Sequence, residues 1–231
     1  MTRTELYKIL KEPNQKIWDN YYKIEKVSNS DTIEFIKDDE ELLRESSIRV
    51  YMYGKMLFAG GYSLIIKPLE QKFEPLVIPE LKKNYRNVFG LMFRDFYKTD
   101  YHFDITIETD EDWQTFLDEF DKCLRFYEAE IFPKLTDIKF LAEYVGVPWE
   151  DEQNIMVGGS FPISFFKKLA ILKWGGQEDF YHIYKKETLK LIKKYAIKKP
   201  EKYKTEYMDN FESLVVQLEN EPNPFEEKKI S

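Results

Sequence analysis

The chain has a single cysteine, Cys123. Without a second one an intramolecular disulfide is excluded, and with it the class of small secreted domains stapled by several. Histidine is almost as scarce, at two residues, His102 and His182. One cysteine and two histidines cannot supply the four Cys/His ligands of a structural zinc site. The HExxH, CxxC and EF-hand patterns are also missing, as are a GxSxG elbow and a GxxxxGK[ST] loop. No metal and no cofactor is expected. Long apolar runs are missing too: clusters such as Tyr62–Ile66 span only a few residues, far short of the roughly 20 that a membrane helix needs. The first fifteen residues carry charges every few positions in place of a signal-peptide core. The expectation is a cytoplasmic protein with no membrane partner. Nine glycines and ten prolines in 231 residues exclude a collagen-like or low-complexity chain. Arginine, at six against 29 lysines, and alanine, at five, are both rare. With abundant Tyr, Phe and Ile, that skew fits an AT-rich bacterial genome.

What is present is a foldable composition, 43% hydrophobic and 33% charged, with a net charge of −7. Its texture changes along the chain, and a division into an α+β core domain at 1–150 and a helical C-terminal subdomain at 151–231 is expected. Leu6, Ile9 and Leu10, then Ile17, Tyr21 and Ile24, have helical spacing. The segment 31–45 holds seven acids against Lys37 and Arg44 and reads as a solvated helix or loop. Ile48–Phe58 and Tyr62–Lys67 read as strands joined by a turn at Gly60-Gly61. Pro68, Pro75 and Pro79 suggest an edge or irregular crossing. Val88–Tyr97 and Tyr101–Glu108 read as further strands, the second alternating between aromatic or aliphatic and polar residues.

After these strands, Thr109 or Asp110 is suited to cap a helix whose stripe runs through Trp113, Phe116, Leu117, Phe120, Leu124 and Tyr127. Helices are then expected over Thr136–Val145, from Ser160 to Gly175-Gly176, over Glu178–Lys198 and near Glu201–Glu219. Strands followed by helices define an α+β class, an antiparallel sheet of four to five strands packed by helices with a helical C-terminal part.

Candidate chemistry is sparse. His102 and Asp104 stand at i, i+2 on the polar face of the Tyr101–Glu108 strand, where a catalytic acid–base pair would need to converge. Tyr51 and Tyr53 share a strand face with Arg49 and Lys55, and exposed tyrosine is a common protein-binding surface. Cys123 is placed mid-helix beside the buried stripe, a poor setting for a reactive thiolate. Val157-Gly158-Gly159-Ser160 reads as a turn rather than a phosphate cradle. From His182 to Lys204 nine lysines face two glutamates. The chain is acidic overall and the next helix supplies Glu206, Asp209, Glu212 and Glu219, so charge pairing between the two helices accounts for the lysines without nucleic acid.

The block ITIETDEDWQTFLDEFDKCLRFYEAEIFPKLTDIKFLAEYV, residues 105–145, and FFKKLAILKWGGQEDFYHIYKKETLKLIKK, residues 165–194, together resemble an uncharacterised bacterial α+β family, domain-of-unknown-function family 4304. The resemblance implies no catalytic residues. Small acidic α+β proteins of this kind are similar to toxin-neutralising immunity proteins. The expected function is a non-enzymatic, immunity-like module binding a basic protein. The alternative is a hydrolase or transferase using His102 and carboxylates such as Asp104 on the sheet face.

Overall fold

A computed structural model describes residues 23–26, 32–51, 56–82, 85, 88–103, 105–106, 108–150, 157–198, 200–203 and 206–226. The chain forms two compact units, Met1–Ile65 with Gly90–Pro133, and Ile66–Phe89 with Lys134–Ser231. The class is α+β, as the element order predicts.

The first unit is built on a sheet. Strands β1 (Lys23–Lys26), β2 (Thr32–Asp38), β3 (Leu42–Tyr51), β4 (Met56–Ile66) and β5 (Phe89–Met92) lie in that order, and the two-residue β6 (Ile105–Thr106) runs beside β4. The pairs β1–β2, β2–β3 and β4–β6 are antiparallel. The helical spacing through Ile24 is therefore overturned: Ile24 pairs with Phe35 in β1–β2. The rest of that spacing lies outside the described residues.

The acidic segment 31–45 is no solvated helix or loop but a hairpin. Phe35 faces inward on β2, and Leu42, Arg44 and Ser46 are buried at every second position of β3. Because two of those three inward residues are polar, the period-two signal is concealed in the sequence. Asp39 makes the turn: its Oδ1 accepts the backbone N–H groups of Glu41 (3.1 Å) and Leu42 (2.8 Å). Arg44 reaches Asp39 and Glu128, and its guanidinium lies 5.1 Å from the centre of the Phe132 ring.

The Gly60-Gly61 turn is likewise corrected, since β4 runs straight through it. A Cβ on Gly61 would stand 2.3 Å from the carbonyl oxygen of Leu91, so glycine is required by the close passage of β5. The prolines do not mark an irregular crossing either. Pro68 lies in the first turn of α1 (Lys67–Phe73), Pro75 in a 3₁₀ turn at Glu74–Leu76, and Pro79 opens α2 (Pro79–Lys82). At a helix start proline forfeits no hydrogen bond.

Val88–Tyr97 splits into β5 and α3 (Phe93–Phe96), because the Asp95 carboxylate accepts the Met92 N–H at 2.8 Å and turns the chain. Tyr101–Phe103 is irregular rather than strand. Its alternation comes from aromatic anchoring, with Phe103 packed among Phe93, Phe116 and Phe120. Helix α4 (Asp110–Phe126) follows as its cap predicts. Thr109 accepts the Asp112 N–H (3.1 Å), and the Asp112 carboxylate accepts the Thr109 N–H (2.8 Å). Its stripe buries Phe116, Leu117, Phe120 and Leu124. A π-helical turn, Tyr127–Ile131, follows, and the Tyr127 hydroxyl donates to the carbonyls of Met92 and Phe93.

The second unit is helical: α1 and α2, then α5 (Ile138–Val145), α6 (Ile163–Trp174), α7 (Glu178–Lys198), the short α8 (Pro200–Tyr203) and α9 (Glu206–Asn220). Helix α6 is its hub, packed by α5, α7 and α9. Phe166, Leu169, Ile171 and Leu172 are all buried there, each stabilising the unit by about 1.5–3 kcal/mol. Asn210 of α9 donates to Leu76 O at 3.0 Å, fastening that helix to the 3₁₀ turn. No helix among the described residues is long and apolar enough to cross a membrane.

Candidate functional site

His102 is exposed and lies ahead of β6 rather than on a strand. Asp104 and Tyr53 lie outside the described residues, and so does the side chain of Tyr51, the last residue of β3. His182, on the first turns of α7, is exposed with Nε2 3.8 Å from Glu178. Cys123 is fully buried, as its mid-helix place predicts. Burial, with the Glu119 carboxylate adding to it, pushes the thiol up to about 12. Gly158-Gly159-Ser160 leads into α6 through a tight turn, the Ile163 N–H donating to Ser160 O at 2.8 Å. Among the described residues no three His, Cys, Asp or Glu side chains are grouped to hold a metal ion.

The chemistry the structure does assemble lies in the helical unit. Lys167 of α6 is fully buried, and its Nζ donates to both carboxylate oxygens of Glu70 on α1 at 2.9 Å. The Tyr85 hydroxyl donates to the same carboxylate. The Tyr85 ring centre is 4.9 Å and that of Phe73 5.6 Å from Nζ, so the ammonium is covered by aromatic faces. Burial pulls the ammonium below the usual lysine range, opposed by the Glu70 carboxylate. The Tyr85 hydroxyl is raised by burial and then by Glu70. A desolvated lysine can serve as a nucleophile. Here both the carboxylate and the rings occupy its approaches, and the arrangement is an internal tie between α1 and α6. Its sequence signal is the lysine pair in FFKKLAIL, where helical spacing leaves no polar face.

A second feature is concave. Pro148, Trp149 and Glu150, after α5, face Phe180, Ile183 and Glu187 of α7 across a pocket of about 460 Å³. The walls are held from behind. The Trp149 ring packs on Phe165 (5.4 Å between centres) and edge-on to Tyr184 (5.1 Å), while the Tyr184 hydroxyl donates to Val147 O at 3.3 Å. Phe180 sits over Gly146, where a Cβ would come within 3.2 Å of its ring. Sequence reasoning misses this pocket, because its two halves lie thirty residues apart with no motif linking them.

The lysine-rich stretch is partly paired across helices. Lys185 reaches Glu219 of α9 at 2.5 Å, and Tyr181 donates to the same carboxylate at 3.1 Å. Lys190 pairs within α7 with Glu187 at 2.6 Å. Lys186, Lys193, Lys194 and Lys198 are exposed.

Charge divides unevenly between the units. Met1–Ile65 with Gly90–Pro133 holds 14 Lys and Arg against 23 Asp and Glu, a formal −9; the other unit holds 21 against 19, a formal +2. No family model, no curated protein and no solved structure matches the chain.

Proposed function

We propose that this chain is a non-enzymatic, immunity-like protein-binding module of the bacterial cytoplasm whose partner is a basic protein. The observation that carries the reading is the −9 charge of the sheet unit, set against +2 in the other. The hairpin turn between β2 and β3 displays Glu40 and Glu41 to solvent. Two cations of the same hairpin are engaged within the unit: Lys37 reaches Glu128 at 2.7 Å, and buried Arg44 serves Asp39 and Glu128. The field of an excess of acids on one unit accelerates encounter with a positively charged partner and makes the rate sensitive to salt.

The test is affinity capture from the native lysate at low and moderate salt, with the unaltered chain beside a Glu40→Lys/Glu41→Lys variant. A stoichiometric basic protein, weakened by salt and by the charge reversal, supports the reading. No partner at either salt, or one indifferent to both changes, overturns it.

A further inference from the structure

We propose that the pocket between the Pro148–Glu150 segment and α7 receives an arginine side chain presented by a protein segment. Its lining joins the apolar and aromatic residues Pro148, Trp149, Phe180 and Ile183 to two glutamates, Glu150 and Glu187. That pairing of π-faces with acids selects an organic cation. An anion meets carboxylates of like sign, and a neutral apolar group offers them no cation.

The volume, about 460 Å³, falls in the range of roughly 300–1,000 Å³ typical of ligand sites. Arginine fits better than lysine. Its planar guanidinium stacks on an aromatic face and still offers two parallel donors to a carboxylate, while its methylene stem covers apolar surface. Phe180, Ile183 and Glu187 stand at i, i+3 and i+7, so α7 offers them along one side. Ile183 is 46% exposed on that side, so its aliphatic surface is open to a ligand.

The site is also built in advance. Trp149 is wedged by Phe165 and Tyr184, and Phe180 is seated on Gly146. A ligand therefore meets walls already in place and avoids part of the ordering cost of binding. Glu187 already holds one cation, Lys190, at 2.6 Å. That contact spans one turn on the helix surface, a class of ion pair worth little in water, and a guanidinium can displace it.

The proposal takes the source of the arginine from the protein-binding reading, but its test stands apart. The full chain, with isotope-labelled backbone and Trp indole groups, is titrated with the blocked peptide acetyl-Gly-Arg-Gly-amide. The control is the same peptide with citrulline, which keeps the shape and loses the charge. Saturable shifts confined to Trp149, Phe180 and Ile183, weakened at least about tenfold by citrulline and several-fold by Glu150→Gln or Glu187→Gln, establish the site. Equal binding of the citrulline peptide, or no shift at these residues, overturns it. Because Glu150 is exposed, its conservative variant keeps the fold. Should lysate capture find a salt-sensitive partner while the peptide leaves the pocket unmoved, the pocket proposal fails and the protein-binding reading survives. A peptide that binds while no partner is captured gives the reverse.

Discussion

Lys167 and Glu70, 97 residues apart in sequence, meet inside the helical unit with Nζ 2.9 Å from each carboxylate oxygen. The pair joins α1 to the hub helix α6 and is sealed by the rings of Phe73 and Tyr85. Taking two charges out of water is costly, and the mutual attraction repays that cost only while both partners are present.

Removing either partner alone, as Lys167→Met or Glu70→Gln, is expected to destabilise the fold by about 3–5 kcal/mol. The double variant Glu70→Leu/Lys167→Met should lose much less than the sum of the two, because no orphaned charge remains. Urea denaturation of the three variants checks this. A double variant as damaged as the sum would show that the pair contributes through packing alone.

Cys123 should be inert in the native state. Its thiol is fully buried and pushed up to about 12, so the nucleophilic thiolate is scarce and shielded. A colorimetric disulfide reagent at mildly alkaline pH should label no thiol in the native chain and one per chain in urea. Fast labelling without denaturant would contradict the burial.

Acid should weaken both units through depressed carboxyls. Burial works to raise the Asp39 carboxyl, but the Leu42 N–H, the Arg44 guanidinium and the Glu41 N–H outweigh it and hold it below its ordinary range. Glu219 is lowered by the hydrogen bond from Lys185, with burial opposing and Tyr181 assisting. A carboxyl depressed on folding stabilises the native state above its unfolded value, near 4, and that contribution disappears as pH falls through the lower folded value. The urea midpoint should hold steady from neutrality to about pH 5 and fall towards about pH 3. Asp39→Asn should start lower at neutrality and fall less steeply. An identical slope in that variant would remove Asp39 from the account.

Gly61→Ala should destabilise the sheet unit by about 1–3 kcal/mol. Its new Cβ would stand 2.3 Å from Leu91 O, a backbone atom that cannot swing aside as a side chain could. The variant should melt lower than the unaltered chain. Gly176→Ala is the matched control: a Cβ added there meets nothing within 4 Å, but its φ is +78°, so it reports backbone strain without crowding.

The helices are legible where their signals are local. Thr109 and Asp112 announce α4 within four residues, and Gly175-Gly176 marks the end of α6. The strands are less so, because long-range partners decide them. Arg44 and Ser46 look outward in sequence yet point inward, and Gly60-Gly61 looks like a turn yet accommodates β5. Pro68 and Pro79 look like breakers, whereas their place at helix starts makes them initiators. Of the candidate site residues, His102 owes its apparent strand face to an alternation that Tyr101 and Phe103 supply through aromatic packing. Trp149 and Phe180 share a pocket that no sequence period could announce, since different elements bring them together.

The Glu70–Lys167 tie also sets an order of events at the ribosome. Glu70 emerges 97 residues ahead of Lys167, which at ordinary rates of synthesis is a wait of roughly 5–20 s. During that interval the carboxylate has no ammonium to meet and α1 has no hub to dock on. Residues 90–133 of the sheet unit emerge in the meantime. Every residue of the sheet unit has therefore been synthesised before the hub helix on which α1 docks.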